Sequence, residues 1–256
     1  MVLESLIGVK TLKEKPWIAF FYSAIIAIVS VYVSYVVFTE YAGIFIAIFI
    51  SVAITPIFKT LILSQMKKEI YRFRKSFFER HYETIKSFLI IFFGLVFGLT
   101  SIFYILPEEI SEKIFKQQIE TIEKIRGNFM VNDIFLKIFL NNFSVLTLSF
   151  ILSFIYGGFL IVLAWNITVL SSAIGMLKET YGILALPIGL LTYLPHGIFE
   201  FIAYFIGSFA GLILSSYFMK GKFKSSYILK DAIRLYLFGI IILFIGAIIE
   251  VYLLLS

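Results

Sequence analysis

Apolar residues fill this chain in long blocks separated by short charged segments. Most blocks run to about twenty residues, enough to cross roughly 30 Å of hydrocarbon at 1.5 Å of rise per residue, so each predicts a membrane-crossing helix. The first, Trp17 to Phe38, follows a segment carrying Lys10, Lys13 and Lys15. It exceeds the roughly 7–15 residues of a cleavable signal core, and no A-x-A-type site follows, so it reads as a retained span. Glu40 and Tyr41 mark a turn, and Gly43 to Leu63 returns with Pro56 free to kink it. Ser87 to Leu106 predicts a third span and Lys137 to about Ala164 a fourth. Between Asn166 and Leu194 the pattern is divided by Lys178-Glu179, Gly182, Pro187 and Gly189, which predicts a broken fifth span, with a re-entrant hairpin as its competitor. Gly197 to Met219, opened by Pro195, and Ala232 to Leu255 complete the series. The expected fold is an all-α polytopic bundle of about seven spans plus amphipathic interfacial helices. It forms a single integral membrane domain over 1–256, with N-terminal spans in 1–136 and a core in 137–256.

Charge orients this bundle. Lys67 to Lys86 carries seven Lys/Arg against three Glu, and Lys220 to Arg234 five against Asp231, so each segment is net +4 and belongs on the cytoplasmic side. Pro107 to Lys137 is net −1 and belongs outside. These assignments put the N-terminus in the cytoplasm and the C-terminus outside, in a multi-pass protein of the cell membrane. In the first basic segment Ile70, Phe73, Phe77, His81 and Ile85 recur at helical spacing, predicting a surface amphipathic helix. Pro107 followed by Glu108 and Glu109 is a helix start, and Gly127-Asn128 a stop, which predicts an outer amphipathic helix.

Composition narrows the field. Apolar residues make up 61% and charged residues 15%, against roughly a quarter charged in soluble domains, which excludes a soluble enzyme, a nucleic-acid binder and a disordered chain. A net charge of +6 reports orientation, with the lipid bilayer as the partner and no nucleic acid. No cysteine is present, so no disulfide, thiolate metal site or cysteine nucleophile can form. Phosphate-loop, dinucleotide and nucleophile-elbow motifs are missing too. The expectation is a non-enzymatic chain with no cofactor, no metal and no catalytic residue.

Ionisable groups inside spans are costly, so each is a functional candidate. Lys178 and Glu179 lie at the interruption, His196 and Glu200 at the start of the sixth predicted span, and Glu250 in the seventh. Counting helical rise places Glu200 and Glu250 in the outer leaflet, at the level of Asn141 and Asn142. His196 and Glu200 are four apart and share a helical face. His196, Glu200, Glu250, Asn141 and Asn142 are therefore a candidate polar or ion cluster. It reads as a proton relay, a cation site or a structural polar network. As a metal site it is poor, with one His and no Cys. Gly94/Gly98 and Gly207/Gly211 have the G-x-x-x-G spacing of closely packed helices, which supports a homodimer or contacts with other membrane proteins.

The run Leu194-Pro195-His196-Gly197-Ile198-Phe199-Glu200, followed by Ala203 and Gly207/Gly211, resembles the L-P-H-G-x-x-E segment of the stage II sporulation protein M family of polytopic membrane proteins. Asn141-Asn142 at the head of a span, the Gly157-Gly158 region and Glu250 in the last helix are similar to other marks of that family. The resemblance covers Lys137 to Tyr252. It departs at Asn166-Ile167, where the family has Asn-Gly, and at Ile202-Ala203, where Pro-Ala is common. The resemblance implies a membrane scaffold that organises partners. The alternative from the residues alone is a proton- or cation-coupled channel or secondary transporter using the His196, Glu200 and Glu250 cluster.

Overall fold

The computed structural model describes residues 15–69, 77–128, 134–155, 158–219 and 226–255, nearly all of them helical and none in a strand. In chain order the helices are α1 (Pro16–Phe38), α2 (Ala42–Glu69), α3 (Phe77–Ile105), α4 (Glu108–Ile114), α5 (Lys116–Asn128), α6 (Ile134–Leu152), α7 (Gly158–Met176), α8 (Lys178–Tyr181), α9 (Ala185–Met219) and α10 (Ser226–Leu255). Single 3-10 turns follow α1 (Thr39–Tyr41) and α8 (Gly182–Leu184). Five stretches are long and apolar enough to cross a bilayer: Pro16–Phe58, Ile85–Ile105, Ile134–Leu152, Gly158–Ser215 and Leu229–Leu255. The first and fourth each contain parts of two long helices. Residues 70–76 of the basic amphipathic helix expected around Lys67–Lys86, and Lys220, Lys222 and Lys224 of the second basic segment, lie outside the described residues. The chain divides into two compact units, Met1–Gln117 and Gln118–Ser256.

In the first unit α1 packs along α3 and against α2. Pro16 begins α1, where its missing N–H costs nothing. The side chains α1 buries are small: Ala19, Ser23, Ala24, Ala27, Ser30, Val31 and Ser34. Its bulky ones, including Trp17, Phe21, Ile25, Tyr32 and Val36, are exposed. Small residues inside and large apolar ones outside is the arrangement lipid favours, since helices then gain contact by close backbone approach. Gly94 and Gly98 on α3 complete it. A Cβ at Gly98 would sit 2.6 Å from the Ala24 carbonyl oxygen, and one at Gly94 would collide with Ser23 Oγ and the Phe20 carbonyl oxygen. Pro107 starts α4, as its φ of −55° allows. The outer helix expected over Pro107–Gly127 is two helices, because the chain turns at Phe115. That ring is fully buried and stacks on Phe103 at 4.5 Å between centroids.

In the second unit α9 packs most extensively on α10 and next on α6, while α6 also meets α10 and α7. Most of α7 is buried, and Thr168 on it accepts a hydrogen bond from Gln118 Nε2 at 3.0 Å. The helix boundaries differ from those the apolar pattern suggests. The fourth apolar run does not continue to Ala164: α6 stops at Leu152, and Phe154, Ile155 and Gly158 make tight turn bonds to carbonyls three residues back. Apolar side chains occupy this turn, so hydropathy alone does not reveal it. Asn166 then sits mid-helix in α7, donating to the Val162 carbonyl at 2.8 Å. The interruption at Lys178–Leu184 separates two complete helices, and Gly182 there takes φ +53°, a left-handed value glycine adopts without strain. Pro195 does not start a helix, since α9 runs through it for 35 residues.

Candidate functional site

Three helices of the second unit bring polar groups together. α6 contributes Asn142, only 8% exposed, on the face it turns toward α9. α9 contributes Glu200 and, one turn later on the same face, Tyr204, which is 2% exposed. α10 contributes Glu250. Close helix approach makes the meeting possible. A Cβ at Gly246, one turn before Glu250, would lie 3.2 Å from Phe199 Cβ and 3.5 Å from both Glu200 Cγ and the His196 carbonyl oxygen. On α9, a Cβ at Gly207 would lie 3.2 Å from Leu146 Cγ, and one at Gly211 2.8 Å from Ser153 Cβ. Glycine at these positions lets the backbones of α6, α9 and α10 close on one another.

The centre of the network is the Asn142 amide. Its Nδ2 donates to Glu200 Oε1 at 2.5 Å, and its Oδ1 accepts from the Tyr204 hydroxyl at 2.8 Å. The Glu200 and Glu250 carboxyl groups lie in hydrogen-bonding contact with each other. Elsewhere along the same helices, Thr147 Oγ1 and Tyr236 Oη link α6 directly to α10 at 2.7 Å. An amide can donate and accept at once, so one asparagine serves two partners that would each be costly unpaired in an apolar interior.

The five residues singled out by sequence are placed differently. Asn142, Glu200 and Glu250 meet. Asn141 is exposed and among the described residues reaches Asn142 Oδ1, at 3.4 Å. His196 shares the Glu200 face of α9, but its Nδ1 is buried with no hydrogen-bond partner among the described residues, and its ring lies edge-on to Tyr193 at 6.4 Å. Gly94, Gly98, Gly207 and Gly211 all face helices of their own unit. Tyr204 is the member that sequence reading missed. Its signal was the four-residue step from Glu200, hidden among 15 tyrosines. Two carboxyl groups, an amide and a phenol can hold a proton or hold helices together; the amide oxygen is already engaged by Tyr204.

Long apolar helices joined by buried polar side chains and glycine contacts define a helical membrane protein. Within that class, residues 87–253 match the family model of Stage II sporulation protein M, and the chain belongs to this family. The match begins well before Lys137 and so takes in most of α3 and the helices α4 and α5. No curated protein and no solved structure matches the chain.

Proposed function

We propose that this chain is a non-enzymatic membrane scaffold that holds partners at the cell membrane. In this reading α1, α2, α3, α6, α7, α9 and α10 make seven crossings, with the N-terminus in the cytoplasm and the C-terminus outside. α7 is the fifth crossing, and Lys178–Leu184 is its outer turn. This order leaves both basic loops inside and α4 and α5 outside. The observation that carries the reading is the double engagement of Asn142 by Glu200 and Tyr204. It uses costly polar groups to fix the spacing of α6 and α9, as a rigid platform requires. Docking falls to the outer helices, where Glu108, Glu109, Glu112, Lys113 and Lys116 are exposed. The partners are other membrane proteins or a second copy of this chain. Because the four glycines are occupied within the chain, such contacts use other faces.

The absence of cysteine makes the test direct. A single cysteine from Glu109→Cys is expected to react with a membrane-impermeant maleimide in intact cells, and a cross-linker placed there to capture a discrete adduct. Labelling only after permeabilisation overturns the orientation. Partner recovery unchanged by deletion of residues 108–128 overturns the docking surface.

A further inference from the structure

The contact between Glu200 and Glu250 is short of one hydrogen-bond donor. A carboxylate has acceptors only, so two carboxylates in hydrogen-bonding contact form no bond; one of them must bring a proton. Two like charges this close in a medium of low dielectric also repel strongly. Among the described residues the surroundings supply neither the missing donor nor a compensating charge. From α6 the Asn142 amide gives one hydrogen bond to Glu200 Oε1, and on α9 the Tyr204 hydroxyl is spent on Asn142 Oδ1 instead of a carboxyl oxygen. His196 stands one turn before Glu200 on α9, and its buried Nδ1 makes no hydrogen bond among the described residues. No described lysine or arginine is ion-paired with either carboxyl; the described pair Arg234–Asp231 is near the other end of α10.

We propose that Glu200 and Glu250 form a proton-binding site in which one exchangeable proton, held between the two carboxyl groups, links α9 to α10. The proton is the donor the pair lacks, and it leaves the site with a single negative charge for the Asn142 amide to face. Its removal places two carboxylates against each other across the α9–α10 contact, where a Cβ at Gly246 would lie 3.5 Å from Glu200 Cγ. The site requires no flux across the membrane, and it stands whether or not the chain docks partners.

Infrared difference spectroscopy on the full chain in lipid nanodiscs tests it. The expected result is a protonated-carboxyl C=O band at neutral pH that disappears in alkaline buffer with release of one proton per chain. The band should be lost in both Glu200→Gln and Glu250→Gln. Glutamine donates to the remaining carboxylate, so both variants keep the α9–α10 bond, and thermal unfolding in the same nanodiscs confirms that they fold. Lack of the band in the unaltered protein, or its survival in both variants, overturns the proposal. Loss of the band on replacing choline chloride with sodium chloride overturns it in favour of a metal-cation site.

Discussion

The two units solve the same packing problem with the same device and differ in what they place beside it. In the first, Gly94 and Gly98 let α3 lie against Ser23, Ala24 and Ala27 of α1, and the buried polar side chains there are hydroxyls. Among the described residues Ser23 bonds the carbonyls of Ala19 and Phe20 in its own helix, at 2.8 and 2.9 Å. In the second, Gly207, Gly211 and Gly246 likewise let α6, α9 and α10 approach, but the contact encloses an amide, a phenol and two carboxyls that bond between helices. A hydroxyl satisfied within its own helix makes no demand on its neighbours. An asparagine or glutamate has more polar atoms than its own helix can satisfy, so it specifies a partner and a register. The α1–α3 contact is held by shape, and the α6–α9–α10 contact by shape and chemistry.

The largest expected effect tests what the units share. Gly98→Leu and Gly211→Leu should each cost about 3 kcal/mol, the upper range for overpacking, because backbone carbonyls stand where the new side chain would go. Thermal unfolding in detergent measures both. Little loss in either one would mean that unit has room to separate its helices.

A smaller effect separates the units. Asn142→Leu removes the group serving both Glu200 and Tyr204 and should cost about 2–3 kcal/mol, the penalty for stranding buried polar atoms. Ser23→Ala should change stability by less than about 0.5 kcal/mol, since it removes only an intrahelical bond. Equal losses would erase the distinction. At the smallest scale Tyr204→Phe should cost about 1 kcal/mol, and Asn141→Ala, at an exposed site, nothing measurable in the same assay.

Hydropathy made the helical character of the chain legible, because runs of that length have few other uses. It could not locate the α6–α7 turn, where apolar side chains from Phe154 and Ile155 continue through the break. Glycine spacing identified residues of close approach but not their partners, and all four glycines turned out to face their own unit. The carboxyls stood out as the expensive residues in apolar surroundings. Tyrosine is ordinary in a membrane protein, so Tyr204 carried no such mark. The four-residue step that tied His196 to Glu200 correctly gave a common face, yet a shared face does not make a hydrogen bond. Which amide would reach Glu200 depended on the packing of α6 against α9, information spread over both helices.

The length of α9 has a consequence of its own. Thirty-five residues of continuous helix measure about 52 Å, well beyond the oily thickness of a bilayer. Its early turns are apolar, with Leu191 76% exposed, so standing them upright in water would be unfavourable. In a bilayer such a rod would have to lean, kink or gather thicker lipid around it. Lipids of different chain length would then meet this helix with different degrees of mismatch, a difference that arises from its length alone.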